Sequence, residues 1–231
     1  MEDFFARSEA LLGEKTMENL RSARVIIFGV GGVGSWCAEA LIRTGLCHLT
    51  IVDDDVVQAS NVNRQLPATR ETVGCPKVEV LKERLLTINP DAEIVALQQR
   101  YVPSSDFPLS TFNYIIDAID DVSAKADLIV CATRARVKIF SSMGAALRFD
   151  PTQVTTGELM SIKGDALVKA VRARMKKTGQ KPYRKVRCVY STEPAQKCDT
   201  RGSLMQVTAV FGMTLAGLVV DAIRKETADT N

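Results

Sequence analysis

RVIIFGVGGVGSWCAEALIRTG, residues 24–45, is the stretch that decides the fold. Its first five residues form a mostly apolar run of a length typical of a buried strand. The glycine-rich stretch 29–34 follows at once. Apolar residues then recur at helical spacing as far as Thr44, and Gly45 ends the helix. The stretch therefore predicts a strand, a tight turn and a helix in direct succession.

The glycine-rich turn predicts a phosphate-binding loop. Glycine lets the backbone turn tightly and approach a phosphate, and the following helix N-terminus adds unpaired N–H groups and a partial positive charge. A GxGxxG pattern alone is a weak signal, but here a strand precedes it and a helix follows it. We therefore predict that a nucleotide binds at Gly29, Gly31, Gly32 and Gly34.

Strands and helices are predicted to alternate over the next hundred residues. Strands are expected at 49–52, 93–97, 114–116 and 137–141, and helices at 76–88 and 123–136. This alternation is typical of parallel strands joined by right-handed crossovers. The fold class is therefore α/β, with a Rossmann-like, mostly parallel, doubly wound sheet and helices on both of its faces.

The pattern changes after Asp150-Pro151. A polar strand, a basic helix near 165–178, a strand at 186–190 and an apolar helix at 203–224 are expected there. The second half thus continues the sheet with mixed strands and ends in a helix. With 231 residues, the chain fits one elaborated domain, residues 1–231. We divide it into a nucleotide-binding half (1–142) and a second half (143–231).

The composition excludes several classes of protein. Apolar residues make up 46% of the chain, which rules out a disordered or low-complexity protein. The six cysteines include no CxxC pair, so no zinc site is expected. The N-terminus lacks the apolar core of a signal peptide. The apolar stretch 204–220 is interrupted by polar residues and glycines, and we interpret it as a buried helix packed through its glycines, in a cytoplasmic protein without stable membrane insertion.

The residues after the second predicted strand distinguish ATP from a dinucleotide. Asp53 closes that strand and can accept a hydrogen bond from a ribose hydroxyl of either ligand. Arg64 and Lys77 are not needed by a dehydrogenase, but they suit a triphosphate that loses pyrophosphate, because negative charge builds on the leaving group. An NAD-dependent oxidoreductase is therefore disfavoured, and so is a non-catalytic nucleotide-binding regulator.

Two further carboxylates follow the predicted strand at 114–116. Asp117 and Asp120 lie beside the expected switch point of the sheet, where the strand order reverses. Carboxylates there can hold Mg²⁺. Asp117 and Asp120 are therefore both candidate magnesium ligands.

These motifs together resemble the ubiquitin-activating-enzyme-like adenylating superfamily, which includes the ThiF and MoeB proteins. The resemblance spans residues 7–142, and it is carried by GVGGVGS, EALIRTG, LTIVDDD, SNVNRQ, GCPKVE, INP and DAIDD. It implies ATP, with Arg64 and Lys77 on the triphosphate, and Asp120 at the Mg²⁺-associated acid. It also implies a homodimer in which Arg7 reaches the partner's site. The other polar residues expected near the nucleotide are Asp55, Asn61, Gln65 and Asp117.

The second half resembles one branch of this superfamily, whose members dehydrate threonylcarbamoyladenosine 37 in tRNA. MGA at 143–145, DPT at 150–152 and RCVYSTE at 187–193 carry that likeness. The implied reaction adenylates the substrate carboxylate and then cyclises it with loss of AMP and water. The alternative is an adenylyltransferase that activates the C-terminal glycine of a ubiquitin-like sulfur carrier. The resemblance implies that residues 1–142 bind ATP, and that residues 143–231 face substrate and tRNA and form the dimer. It leaves a monovalent cation and a sulfur-transfer partner open.

Positive charge is concentrated in one basic segment, residues 172–187. It holds eight Lys and Arg residues and no acid, while the whole chain carries a net charge of +3. Such a segment can neutralise several phosphates. We expect tRNA contacts from Arg172, Arg174, Lys176, Lys177, Lys181 and Arg184.

Cys188 is the thiol most open to a chemical role, because neighbouring Arg and Lys residues would lower its pKa. The interpretation that we favour is a small buried residue at a strand end, because intramolecular ring closure needs no enzyme nucleophile. Cys198 is a weaker candidate. His48 lies away from the expected strand carboxyl ends, so we do not expect it to act as a general base.

Overall fold

Seven strands and seven α-helices make up the part of the chain that the structure, a computed structural model, describes (residues 4–200 and 202–229). The strands are β1 (Arg24–Phe28), β2 (His48–Val52), β3 (Glu93–Leu97), β4 (Tyr114–Asp117), β5 (Lys138–Ser142), β6 (Val154–Glu158) and β7 (Arg187–Ser191). The helices are α1 (Ala6–Leu12), α2 (Glu14–Ser22), α3 (Gly34–Thr44), α4 (Lys77–Ile88), α5 (Val122–Arg134), α6 (Ala166–Lys177) and α7 (Met205–Asp229).

The strands form one sheet in the order β3-β2-β1-β4-β5-β7-β6. All neighbours are parallel except β6, which pairs antiparallel with β7. Buried apolar side chains form a cluster on each face of the sheet. The α/β, mostly parallel sheet with mixed strands and a terminal helix is therefore confirmed.

Most predicted elements differ from the observed ones by one or two residues at an end. The helix expected at 203–224 runs instead from Met205 to Asp229. Helices α1 and α2 were not predicted. α1 has no buried residue, and α2 buries only Thr16, Met17 and Leu20, so their apolar pattern is short and weak.

Helix α7 packs along α3, beside the glycine-rich turn. By length and composition it could cross a membrane, but half of its apolar window is buried inside the protein. Of its two glycines, only Gly212 provides close packing: a Cβ there would overlap the carbonyl oxygen of Val33 and lie 2.8 Å from the Cβ of Trp36. Gly217 is exposed, with nothing within 4 Å of its Cβ position. The expected packing through both glycines is therefore wrong for Gly217.

This difference predicts opposite effects for two matched substitutions. Gly212→Ala inserts a methyl group against backbone, and we expect it to lower the free energy of unfolding by about 2 kcal/mol. Gly217→Ala improves helix propensity without a clash, and should raise it by about 0.5–1 kcal/mol. Urea unfolding of both variants checks the pair. Equal effects of the same sign would contradict the packing described here.

Candidate active site

One cavity opens where β1, β2, β4 and β5 present their carboxyl ends. Its volume of about 580 Å³ lies within the range of small-molecule sites. The glycine-rich turn, the ends of β2 and β4, and the segment 142–148 line it, with Ser203 and Thr208 from the end of the chain. Residues 1–142 alone therefore do not enclose the cavity.

The glycine-rich turn is shaped by close backbone contacts. Gly29 has φ +85°, and a Cβ there would lie 2.8 Å from the carbonyl oxygen of Ala118. A Cβ on Gly34 would overlap the carbonyl oxygen of Gly29. Gly31 and Gly32 line the cavity. Because no side chain caps α3, its N-terminus remains available to an anion.

Asp53 ties the end of β2 to this turn. Its Oδ2 accepts a hydrogen bond from the Val30 N–H at 2.8 Å, and its Oδ1 accepts one from the Asp55 N–H at 2.9 Å. Burial raises the pKa of Asp53, and these backbone donors oppose the shift. Each oxygen keeps a lone pair for a further donor, as a ribose hydroxyl requires.

The two predicted cations lie on the cavity wall. Lys77 is buried, and its Nζ lies 2.6 Å from Oδ2 of Asp55. Arg64 is half-buried, and its Nη1 donates to the Ser60 carbonyl and the Asn63 side chain, each at 2.9 Å. The indole N–H of Trp36 donates to the Arg64 carbonyl at 3.0 Å, which fixes the Arg64 backbone against α3.

Of the two amide side chains predicted near the nucleotide, one lines the cavity and the other does not. Gln65 is buried and lines the cavity. Asn61 does not line it, because its side chain accepts a hydrogen bond from the Gln58 N–H at 3.0 Å and caps a short 3-10 helix. Direct contact of Asn61 with a nucleotide is therefore not what the structure shows.

The two acids after β4 separate in the same way. Asp120 is exposed and lines the cavity. Asp117 is fully buried behind the wall, where its Oδ2 lies 2.7 Å from Lys125 Nζ and accepts a hydrogen bond from Ser141 Oγ at 2.5 Å. Its Oδ1 accepts one from the Ile119 N–H at 3.1 Å. The structure thus corrects the expectation that Asp117 faces the nucleotide: its side chain shapes the loop that carries Asp120.

Three side chains that sequence reasoning missed also belong to this region. Lys125 is fully buried, and Arg148 and Asp165 line the cavity with almost no exposed surface. The neighbouring sequence of a lysine within a helix, or of an aspartate just before one, does not indicate that its side chain is buried beside the cavity. Only the fold brings them to the ends of β4 and β5.

Two predicted regions lie outside the cavity. Arg7 is exposed on α1 and does not line the cavity of its own chain. In the basic segment, Lys176, Lys177, Lys181 and Arg184 are exposed, and Arg174 is half-buried. The Arg172 guanidinium instead donates to the Leu159 carbonyl, with Nε at 2.9 Å, so it holds α6 to the end of β6.

Cys188 is buried on β7, where burial raises the pKa of its thiol to about 12 and the nearby Lys125 ammonium opposes the shift only in part. The expected lowering of this pKa by Arg and Lys is therefore wrong, and the favoured interpretation as a small buried residue fits. His48 lies at the amino end of β2, 2.9 Å from Glu93, away from the cavity.

This burial predicts selective alkylation. Iodoacetamide at pH 8 should modify the exposed Cys75 and Cys198 in the folded protein and leave Cys188 and Cys37 intact until the chain is unfolded. Peptide mass mapping before and after denaturation checks this. Rapid native labelling of Cys188 would show that its thiol is accessible.

Comparison with known proteins gives a family and several similar sequences. The profile of the ThiF family matches residues 5–231. The chain is 35% identical to the tRNA threonylcarbamoyladenosine dehydratase of Haemophilus influenzae, over 91% of this chain and 89% of that protein. It is 38% identical to the Bacillus subtilis protein of the same name, over 82% and 74%.

A solved structure of a protein with the same activity in its name is also similar to this chain. The crystal structure of the Escherichia coli tRNA N6-threonylcarbamoyladenosine dehydratase in complex with ATP is similar, with a TM-score of 0.91 and 33% identity. The match covers 98% of this chain and 96% of that one. Family profile, relatives and architecture agree along nearly the whole chain, and the chain therefore belongs to the ThiF family.

Proposed function

We propose that this protein is an ATP-dependent dehydratase that adenylates the carboxylate of threonylcarbamoyladenosine 37 in tRNA and cyclises it with loss of AMP and water. The observation that carries the proposal is the single cavity that collects the glycine-rich turn, Asp53, Arg64, Lys77 and Asp120. Similarity to the dehydratases over most of both chains supports this substrate.

The first step is attack of the substrate carboxylate on the α-phosphorus of ATP. The glycine-rich turn and the α3 N-terminus hold the phosphates, and Asp53 holds the ribose. Arg64 and Lys77 stabilise the charge on the departing pyrophosphate. In a homodimer, Arg7 of a second copy would add a further cation, worth on the order of a thousandfold in rate.

The cavity also fits a magnesium ion. Asp120 offers exposed carboxylate oxygens there, and oxygen is the ligand atom that Mg²⁺ prefers. The side chains of Asp53, Asp54 and Asp55 bring their carboxylates within 4.8 Å of one another on the same wall. Two of these carboxylates already have partners, the backbone donors on Asp53 and Lys77 on Asp55, so we assign the ion to Asp120. When bound, it neutralises phosphate charge.

The second step needs no enzyme nucleophile. The carbamoyl group of the same substrate bonds to the activated carbonyl and releases one proton, AMP leaves with the electron pair of the broken C–O bond, and a ring closes. Because the nucleophile is tethered, its effective molarity is high. A buried, protonated Cys188 is consistent with this route.

The basic segment is the proposed tRNA contact, in a cytoplasmic protein. Charge reversal at Lys176, Lys177 and Lys181 should weaken tRNA binding by about ten- to a hundredfold near physiological salt. The plot of log K against log salt concentration should become less steep, with its slope smaller in magnitude by about two to three. ATP affinity should not change. Filter binding at several salt concentrations measures both quantities. Reversal of Arg70 and Lys82, which lie outside the segment, is the control, and an unchanged slope in the triple variant would exclude the contact.

Nucleoside mass spectrometry tests the reaction itself. The protein is incubated with ATP, Mg²⁺ and tRNA that bears threonylcarbamoyladenosine, and the tRNA is digested under mild conditions. An ATP-dependent product lighter by one water is expected. No mass change, with pyrophosphate exchange only after a sulfur-carrier protein is added, would refute the dehydratase and favour the adenylyltransferase.

A further inference from the structure

The cavity contains an unusual set of unpaired polar atoms. Among the described residues, four buried side-chain N and O atoms lack a hydrogen-bond partner: Gln65 Oε1, Arg148 Nε, Arg148 Nη1 and Asp165 Oδ2. All three residues line the one cavity. Because a buried polar group without a partner costs about 1–3 kcal/mol, such groups are seldom tolerated without a function. Three of the four atoms belong to Arg148 and Asp165, which makes this pair a candidate for binding a ligand.

Arg148 and Asp165 face each other without bonding. Arg148 Nη2 lies 3.7 Å from Asp165 Oδ2, which is too long for a hydrogen bond, and the two side chains are 3% and 0% exposed. Asp165 Oδ1 is already engaged, since it accepts the Val168 N–H at 2.9 Å and caps α6. Oδ2 faces Gly144, where a Cβ would lie 3.3 Å away. One acceptor atom, Asp165 Oδ2, and two donor atoms, Arg148 Nε and Nη1, thus remain without a partner on the cavity wall.

The backbone around Arg148 is held from several directions. Leu147 has φ +61°, a strained value for a residue with a side chain. Its N–H donates to the Gly202 carbonyl, and its carbonyl accepts from the Gln196 N–H, both at 2.9 Å. The buried Glu193 carboxylate accepts the N–H groups of residues 149 and 150 at 3.0 Å. Strain maintained by so many bonds fixes the backbone that carries Arg148, as binding residues require.

The chemistry of this pair selects its ligand. A phosphate or carboxylate would suit Arg148 but would be repelled by Asp165, and an amine would have the opposite difficulty. A urea-type group satisfies both, because its carbonyl oxygen accepts while its N–H donates. The carbamoyl linkage between threonine and adenosine is such a group.

We propose that Arg148 and Asp165 bind the carbamoyl linkage of the substrate, with the guanidinium donating to its carbonyl oxygen and Asp165 Oδ2 accepting from its N–H. The proposal rests on the dehydratase function proposed above. The tethered nucleophile is then the nitrogen whose N–H Asp165 accepts. This nitrogen bonds to the activated carbonyl, AMP leaves, and the N–H proton departs along the hydrogen bond to Asp165 Oδ2. The pair would also reject modified adenosines that lack the linkage, since the buried groups would then remain unpaired.

Asp165→Asn is the sharpest test. Asparagine also caps helices, so α6 should be retained, while an NH₂ donor can replace the unpaired acceptor. We expect kcat/KM for the modified tRNA to fall about a hundredfold or more, with ATP affinity unchanged. The melting temperature should fall as well, because Arg148 loses the carboxylate that lies 3.7 Å away in a buried site. Pyrophosphate release should also exceed cyclised product, because a misoriented adenylate is lost to water. A purely structural defect would lower both products together.

Arg148→Gln should behave in the same way, and Arg148→Lys should recover part of the activity. The matched controls are Asp150→Asn, a capping aspartate that does not line the cavity, and Arg70→Gln, an exposed arginine. If Arg148→Gln does not fold, Arg148→Lys and Asp165→Asn decide the matter.

Two results would overturn the inference while leaving the dehydratase intact. One is wild-type kcat/KM with equal pyrophosphate and product in Asp165→Asn. The other is a parallel loss of ATP affinity, which would make the pair part of the nucleotide site. Failure of the wild type to form the dehydrated nucleoside is a different outcome: it refutes the proposed function, and the carbamoyl ligand with it, before any variant is compared.

Discussion

Asp120→Ala is expected to lower the rate of AMP formation by about a thousandfold, because Asp120 is the proposed ligand of a magnesium ion, and an ion that neutralises charge on transferring phosphates contributes several kcal/mol. Asp120 is exposed in the cavity, so the side chain can be removed without loss of core packing. The melting temperature should therefore change little. Pyrophosphate release with modified tRNA, measured at saturating ATP, gives the rate.

The neighbouring acid supplies the control for Asp120. Asp121 caps α5 by accepting the Ala124 N–H at 2.7 Å, and Asp121→Asn preserves that cap. We expect this variant to keep its rate within a few-fold of the wild type. A rate close to wild type in Asp120→Ala, or an equal loss in Asp121→Asn, would show that the magnesium assignment is wrong.

Lys125→Met is expected to cause the largest loss of stability. The Lys125 ammonium contacts Asp117 at 2.7 Å, the Ser142 carbonyl at 2.9 Å and Ser141 Oγ at 3.3 Å, entirely out of solvent. Removing it leaves the Asp117 carboxylate buried without its counter-ion, at a cost of about 3–5 kcal/mol. The melting temperature should fall by roughly 10 °C, as calorimetry can show.

A second substitution separates the charge from the packing. In Lys125→Met/Asp117→Asn neither charge of this buried pair remains. The amide oxygen can still accept from the Ile119 N–H, and the Ser141 hydroxyl can rotate to accept from the amide NH₂ group. We expect the double variant to recover a large part of the lost stability. A single variant that melts within about 2 °C of the wild type would show that the pair contributes little.

The elements nearest the nucleotide site could be predicted because their signals are local. The apolar run of β1, the glycine-rich turn and the start of α3 are contiguous, so spacing alone indicates their order. Asp53 and Asp120 follow strands, and parallel strands bring their carboxyl ends to one edge of the sheet. A position directly after a parallel strand therefore predicts a residue of the site, provided that its side chain is exposed.

Other residues could not be predicted because burial depends on distant partners. Asp117 follows the same rule as Asp120, but Lys125 draws its carboxylate behind the wall. Arg172 belongs to a basic run, but the free carbonyl of Leu159 engages it. Arg148 and Asp165 are separated by a strand and a loop, and nothing in their immediate neighbours indicates that they share a cavity.

The packing of α7 on α3 has a consequence for synthesis of the chain. Gly212 lies against Val33 and Trp36, and Thr208 lies within 3.4 Å of the Cβ position on Gly32. The glycine-rich turn is thus supported by residues that are translated only after all seven strands. A nascent chain, or one ended early by a nonsense codon, exposes the apolar side of α3 and lacks part of the cavity wall. We expect such truncated products to be recognised by chaperones and proteases rather than to bind ATP.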